Sequence, residues 1–110
     1  MNEITNIVEK PTLLQQQDIE LSKLIYTIRG KQIMLDCDLT ILYGYTVKRL
    51  NEQVKNNKNR FPEDFMFQMT REEVNDLRSK FPTANINPKS RYLPHVFTEQ
   101  GIYMLATVLS

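Results

Sequence analysis

The chain of 110 residues has few of the residue types from which many functional sites are built. It contains one cysteine, one histidine, three glycines and no tryptophan. A lone cysteine excludes an internal disulfide and a zinc site made of cysteines, and three scattered glycines form no phosphate-binding loop. No run of about 18 apolar residues is present, which excludes a spanning helix. We therefore expect a cytoplasmic protein with no membrane partner, no cofactor and no metal.

What is present is an ordinary globular composition, with 41% hydrophobic residues, 25% charged residues and a net charge of +1. The length suits one domain with a modest core. Residues 1–23 are polar and are predicted to form an N-terminal arm, either loose or carrying a short helix. Residues 24–110 are predicted to form the folded domain. Its last helical pattern is still apolar at the end of the sequence, so we expect the domain to be truncated there.

The nearly neutral total hides two basic blocks. Between residues 46 and 60 the sole acid is Glu52, and the basic residues are Lys48, Arg49, Lys55, Lys58 and Arg60. Between residues 77 and 98 no acid occurs, and the basic residues are Arg78, Lys80, Lys89 and Arg91. Such patches can hold phosphates on a balanced chain, although a solvated surface of mixed charge is the commoner origin of charge runs.

Periodicity predicts an α+β fold, a compact helical domain with a helix–turn–helix, a small β-hairpin and short strands. The predicted elements of the first half are a hairpin over residues 24–35 with its turn at residues 29–31, and helices over residues 37–43 and 47–57. They are followed by a strand over residues 65–69, a helix over residues 71–80 after the capping box Thr70–Glu73, an extended segment over residues 91–97, and a last helix from Glu99. Pro94 predicts a sheet edge for the extended segment because it lacks an N–H group.

The stretch from Asp36 to Lys55 carries the helix–turn–helix pattern. Asp36 is predicted to cap the first helix, Gly44 to end it in the left-handed conformation, and Thr46 to cap the second. Thr40 supplies a small residue where the helices cross. The predicted inward residues are Leu39, Tyr43 and Tyr45 for the first helix and the turn, Leu50 and Val54 for the second helix, and Ile102, Leu105, Ala106 and Leu109 for the last helix.

The opposite face of the second helix has the chemistry of a DNA-reading surface. Lys48, Asn51, Glu52 and Lys55 share one sector at 100° per residue. Lysine donates to guanine or phosphate, asparagine pairs with adenine through two hydrogen bonds, and glutamate accepts from cytosine. The residues expected to hold phosphates are Arg49, Lys58, Arg60 and Arg91. Helix–glycine–helix patterns also arise in purely structural helical hairpins, in which this face would only be solvated.

An ordered series of motifs resembles the phage ORF-six N-terminal domain, a relative of the KilA-N and Bro-N domains. The motifs are residues 25–32 (IYTIRGKQ), 38–44 (DLTILYG), 48–56 (KRLNEQVKN), 60–68 (RFPEDFMFQ) and 93–101, which include Leu93–Pro94 and Phe97–Gly101. The resemblance implies a compact α+β DNA-binding domain of phage, prophage and large DNA virus proteins, in some cases part of an antirepressor. Cys37, Thr40 and Tyr45 depart from the family pattern without disturbing the turn.

Three functions remain open, of which two are binding functions; the third is catalytic and is not expected. The first is a double-stranded DNA-binding regulator of phage or prophage type, which can also be a homodimer. The second is the protein-interaction module of an antirepressor, with a phage repressor or another protein as partner. The weakest is a metal-dependent nuclease, because Asp36 and Asp38 have no third ligand at a useful spacing. His95 near Glu99 is a typical structural histidine, and Cys37 between two acids is not activated.

Overall fold

The computed structural model describes residues 21–109. The predicted N-terminal arm, except for residues 21–23, lies outside the described residues, as does Ser110. The strands are β1 (Tyr26–Ile28), β2 (Lys31–Leu35), β3 (Met66–Gln68) and β4 (His95–Phe97). The helices are α1 (Asp36–Tyr43), α2 (Val47–Asn56), a short 3-10 helix (Lys58–Arg60), α3 (Arg71–Lys80) and α4 (Glu99–Leu109). The α+β class expected from the sequence is confirmed.

The predicted hairpin forms between β1 and β2. The two strands pair antiparallel, with Tyr26 opposite Ile33 and Ile28 opposite Lys31. Arg29 and Gly30 make the turn with φ angles of 56° and 72°. Two successive positive φ angles are typical of the type I′ turn, whose twist matches that of the strands it joins.

The edge position predicted for the extended segment around Pro94 is wrong. The sheet order is β1-β2-β4-β3, so β4 lies inside the sheet, with Val96 opposite Leu35 on one side and Phe67 on the other. Pro94 precedes the strand, and its carbonyl accepts a hydrogen bond of 2.9 Å from the Met69 N–H. The missing proline N–H therefore costs the ladder no hydrogen bond.

Side chains from the two faces of the sheet belong to two separate hydrophobic clusters. One cluster joins Ile33, Leu35 and Val96 to Val74 and Leu77 of α3. The second cluster takes the neighbouring residues of the same strands and packs them against α1, α2 and α4; its buried members are Met34, Leu39, Leu50, Val54, Phe61, Phe97, Leu105 and Leu109. Because successive strand residues point to opposite faces, the sheet is covered on both.

Two predicted inward residues are exposed instead. Tyr43 is 39% exposed, and Ala106 on α4 is also exposed. In α1 the buried residues are Asp36, Asp38, Leu39 and Thr40. In α1, burial therefore depends on how far along the helix a residue lies, and not on which side of the helix it is. Its first half is enclosed, whereas its last turn extends beyond its neighbours, so helical periodicity assigns Tyr43 to the wrong environment.

No helix within residues 21–109 is long and apolar enough to cross a membrane. The sheet and the helices on its two faces form the frame that fixes α2, on which most of the predicted site residues lie.

Candidate nucleic-acid interface

The junction between α1 and α2 has the predicted form. Gly44 ends α1 with a φ of 73°, in the left-handed region that glycine enters without steric cost. The Tyr45 N–H donates to the Thr40 carbonyl over 3.0 Å, which closes the turn. Thr46 then caps α2, because its side-chain oxygen accepts from the Arg49 N–H at 3.1 Å. Two capped helices thus follow each other with three residues between them.

The inner face of α2 fixes which residues point outward. Leu50 is fully buried and Val54 is 8% exposed, and both belong to the cluster that contains Leu39 and Leu105. Tyr45 in the turn adds a tie to α4, since its hydroxyl donates to the Leu109 carbonyl at 2.6 Å. These contacts hold α2 against α1 and α4 and leave its opposite face to solvent.

Most of the predicted DNA-reading residues are exposed. On α2 these are Lys48, Arg49, Glu52 and Lys55, and beyond it Lys58, Arg60 and Arg91. The Arg49 guanidinium lies 5.0 Å above the Tyr45 ring, a cation–π contact that directs it toward the turn. Lys58 and Arg60 lie on the 3-10 helix that continues α2. One continuous stretch of chain therefore presents the cations of the first basic block.

The ion pairs of residues 21–109 do not involve these cations. The ion pairs between described residues join Arg29 to Glu73, Lys31 to Asp64, and Lys80 to Asp76. His95 Nδ1 also lies 4.0 Å from Asp36, a contact that is ionic only when the imidazole is protonated. Within residues 21–109, no ion pair uses a basic residue of α2 or of the 3-10 helix. No carboxylate of this part of the chain neutralises their charges, which can attract an anionic partner.

Asn51 differs from its neighbours on α2, because it is half-buried and hydrogen-bonded to a distant part of the chain. Its Nδ2 donates to the Tyr92 hydroxyl at 3.2 Å. This contact spans 41 residues and brings the segment around Tyr92 against α2. Arg91, the preceding residue, therefore lies beside α2 as well. Arg91 is exposed, and its carbonyl accepts a hydrogen bond from Arg71.

Tyr92 and Arg71 are residues at this surface that the sequence analysis missed. Arg71 Nη2 donates to the carbonyls of Ser90 and Arg91, at 3.4 Å each, and so braces the segment that carries Tyr92. Local patterns give no signal for either residue, since both contacts depend on elements far apart in the sequence. The position of Tyr92 directly after the basic residue Arg91 is a weak sequence signal for a surface role.

Asp36 is not the helix cap that the sequence predicted. The capping position is Leu35, which makes no side-chain capping bond, and Asp36 is the first helical residue. Its carboxylate is fully buried and accepts from the Cys37 N–H at 2.7 Å, from the His95 N–H at 3.1 Å and from the Tyr92 hydroxyl. Because β2 passes directly into α1, Asp36 points into the interior, where it joins α1 to the segment before β4.

The surroundings of this carboxylate shift the pKa values of two neighbours. Burial raises the pKa of the Tyr92 hydroxyl, and the hydrogen bond that it donates to Asp36 raises it further. Burial lowers the pKa of His95, an effect that the nearby Asp36 charge opposes. Tyr92 therefore keeps its proton at neutral pH, which allows the hydroxyl to donate to Asp36.

Asp38 and Cys37 each form a hydrogen bond with Asn85. Asn85 Nδ2 donates to Asp38 Oδ1 at 3.3 Å, and the Cys37 thiol donates to the Asn85 carbonyl at 3.0 Å. Burial raises the pKa of Cys37 to about 12, so the thiol is protonated at neutral pH. Among the described residues, no three His, Cys, Asp or Glu side chains are grouped so as to hold a metal ion.

Comparison with known proteins identifies the family. The model of the ORF6N domain matches residues 23–108, which is most of the chain. The chain matches neither a curated protein nor a solved structure. The match includes the hairpin, the two helices around Gly44, α3 and nearly all of α4. The resemblance seen in the ordered motifs is thereby confirmed, and the protein belongs to the ORF6N domain family.

Proposed function

We propose that this domain binds double-stranded DNA as part of a phage-type or prophage-type regulatory protein, in the cytoplasm of a bacterial cell. The observation that carries the proposal is the exposed basic face of α2, in which no cation is paired with a carboxylate of the described chain. This face belongs to the second of two helices joined by a short turn, the position of the recognition helix in helix–turn–helix proteins.

The residues of this face divide into two roles. An α-helix fits the major groove of B-form DNA, so Lys48, Asn51, Glu52 and Lys55 would meet base edges there. Lys58 and Arg60 lie beyond the end of α2, and Arg91 lies on the adjoining segment, where a helix seated in the groove leaves the sugar–phosphate backbone within reach. Arg49, turned toward Tyr45, suits a phosphate better than a base.

The test is the salt dependence of binding to a random-sequence duplex. Each phosphate contact releases condensed counterions, so log K falls with log salt by about 0.9 per contact. We expect Lys58→Ala to weaken binding to every sequence and to reduce the slope by about 1. Fluorescence anisotropy at a series of salt concentrations measures both quantities.

Lys80→Ala provides the matched control for this test. Lys80 is an exposed lysine on α3, on the other side of the sheet, and it pairs with Asp76 at 3.2 Å. Its removal should leave the slope unchanged. An unchanged slope for Lys58→Ala would show that Lys58 touches no phosphate, and a wild-type chain that binds no duplex at low salt would overturn the proposed function.

A second candidate function is a protein-interaction module, as in an antirepressor that grips a phage repressor. It is favoured by three consecutive apolar residues exposed on the last turn of α1: Ile41 is 72%, Leu42 50% and Tyr43 39% exposed. Contiguous exposed apolar residues are typical of contact surfaces. An electrophoretic mobility assay distinguishes the two candidate functions, because a protein-interaction module should not retard duplex DNA. Sedimentation of the chain alone shows whether it forms a homodimer.

A further inference from the structure

A chain of hydrogen bonds connects the buried interior to the outward face of α2. It begins at the Asp36 carboxylate, which is fully buried, and passes through the Tyr92 hydroxyl to the amide of Asn51. Tyr92 itself is 40% exposed, so the chain ends at the surface. It ends at the asparagine of the predicted DNA-reading set, between the exposed residues Lys48 and Lys55.

The chemistry of the hydroxyl dictates how the Asn51 amide is oriented. A tyrosine hydroxyl has a single hydrogen, and an ionised carboxylate can only accept. Backbone N–H groups of Cys37 and His95 also donate to Asp36, and the Tyr92 hydroxyl donates to the same Oδ2 atom that accepts from His95. The Tyr92 hydrogen is therefore committed to Asp36, and toward Asn51 the hydroxyl can only accept. The amide nitrogen, not the carbonyl oxygen, must face Tyr92.

His95 agrees with this arrangement. Its Nδ1 lies 3.3 Å from the Tyr92 hydroxyl and 4.0 Å from Asp36 Oδ2. With the hydroxyl hydrogen committed to Asp36, the imidazole can only donate to the hydroxyl from a protonated Nδ1. In that tautomer His95 is a donor to the hydroxyl, as Asn51 is, and neither of these two described residues competes for its hydrogen.

The fixed amide leaves one defined pair of groups unused. Of the two Nδ2 hydrogens, one is taken by Tyr92, and the second hydrogen and the carbonyl oxygen make no hydrogen bond within the described residues. The Nδ2 hydrogen on the carbonyl side and the carbonyl oxygen together complement the adenine edge in the major groove, where N7 accepts and the N6 amino group donates. This pairing requires that Tyr92 takes the other hydrogen, which is trans to the carbonyl oxygen. Guanine offers two acceptors at this edge and matches less well.

We propose that Tyr92, held by Asp36, is a positioning residue that orients Asn51 to read adenine in duplex DNA. The inference rests on the proposed function and specifies one nucleobase, adenine, that the bound DNA would present to Asn51. Asn51 is prepared for the base before DNA arrives, so less side-chain freedom is lost on binding. The contribution of Tyr92 is then to discrimination between bases, and not to affinity for DNA in general.

The first experiment uses the full chain and a randomised duplex library. Selection with the wild-type chain should yield a site with an adenine that Asn51→Ala no longer requires. The ratio of Kd values for duplexes that differ only at that base pair is then measured. We expect Asn51→Ala to reduce this ratio by about 5- to 150-fold, and Tyr92→Phe to reduce it by about 2- to 10-fold.

Two controls separate positioning from other effects. Asn56→Ala changes an exposed asparagine on the same helix and should leave the ratio unchanged. In a double-mutant cycle, Tyr92→Phe should have no further effect on the ratio once Asn51 is alanine, because it acts through Asn51. Affinity for random duplex should be the same for Tyr92→Phe as for the wild type. A uniform loss for all sequences would overturn the proposal.

A second measurement does not depend on the folding of any variant. The side-chain NH2 group of Asn51 in the free wild-type chain should have a higher NMR order parameter than that of Asn56. Equal order parameters, or an unchanged ratio in Tyr92→Phe, would overturn the positioning role alone. The same holds for a wild-type chain that binds duplex DNA without an adenine preference, whereas a chain that binds no duplex removes the proposed function as well.

Discussion

At the scale of single residues, Arg29 and Glu73 form an ion pair that includes two side-chain hydrogen bonds. The Arg29 guanidinium meets the Glu73 carboxylate through two hydrogen bonds, of 2.8 and 3.0 Å, and lies 4.1 Å from the centre of the Phe67 ring. The same carboxylate accepts from the Thr70 N–H at 2.8 Å and completes the capping box of α3. One side chain therefore ties the hairpin turn to the start of a helix.

This contact predicts a pH dependence of stability. The hydrogen bond from Arg29 is the main cause that lowers the pKa of Glu73 from its ordinary 4.5 to about 2. Since the pKa is lower in the folded state, the stabilisation is complete above pH 4.5 and is lost as the pH falls toward 2. Glu73→Gln should lower the free energy of unfolding at neutral pH by about 1 kcal/mol, because the pair is partly exposed.

Urea unfolding at a series of pH values measures this effect. The difference in stability between the wild type and Glu73→Gln should shrink as the solution is acidified from pH 4.5 to about 2. Glu72→Gln is the matched control, since Glu72 is exposed in the same helical turn. A constant difference over this pH range would contradict the assignment.

Residue roles could be predicted where the partner is near in sequence. The capping box of Thr70 and Glu73 was predicted because its two residues are three apart, and Thr46 was predicted as a cap for the same reason. The Arg29 partner of Glu73 was not, because it lies 44 residues away. Asp36 was wrongly predicted to be a cap, since two of its partners, Tyr92 and His95, lie more than 50 residues away.

At the scale of elements, α4 approaches the chain before β3 unusually closely. A Cβ atom on Gly101 would lie 1.9 Å from the Phe65 carbonyl oxygen. Thr98 reinforces the approach: its hydroxyl donates to the Asp64 carbonyl at 2.6 Å and accepts from the Gly101 N–H at 3.4 Å. Only glycine lets the first turn of this helix fit against the backbone.

Gly101→Ala should therefore destabilise the domain by about 3 kcal/mol, because the clash is with backbone and no side chain can move aside. Thermal or urea unfolding measures the loss. Gln100→Ala, at the neighbouring exposed position of the same helix, should change stability by less than about 0.5 kcal/mol. Equal effects of the two substitutions would show that α4 can shift away from Phe65 without cost.

The bounds of helices were easier to predict than their surroundings. Helix α3 runs from Arg71 to Lys80, as predicted, because its cap and its apolar spacing are local. The place of β4 in the sheet and the exposure of Tyr43 depend on which elements lie next to them. No pattern within one element contains that information, which is why both predictions were wrong.

At the scale of the whole molecule, the basic surface and the hydrophobic clusters occupy different places. The cations of α2 make no ion pair within residues 21–109, and their exposed side chains lie opposite the buried Leu50 and Val54. Surface side chains of this kind contribute little to stability. The proposed binding surface can therefore vary without loss of the fold.

A direct consequence is that Lys48→Ala and Lys55→Ala should each leave the free energy of unfolding within about 0.5 kcal/mol of the wild type. Both should nevertheless weaken binding to duplex DNA. Urea unfolding and anisotropy titration of the same preparations compare the two effects. If either substitution lowers stability by more than about 1 kcal/mol, that lysine is part of the fold rather than of a separate binding surface.

The location of β4 also bears on how the chain folds during its synthesis. This strand lies between β2 and β3 in space but emerges from the ribosome after both. Until residues 95–97 leave the exit tunnel, the strand that joins β2 to β3 is missing, so neither β2 nor β3 can make the hydrogen bonds that each makes with β4 in the complete sheet. The sheet can therefore be completed only after β4 has been synthesised, and a chain that ends before residue 95 lacks the strand that joins β2 to β3.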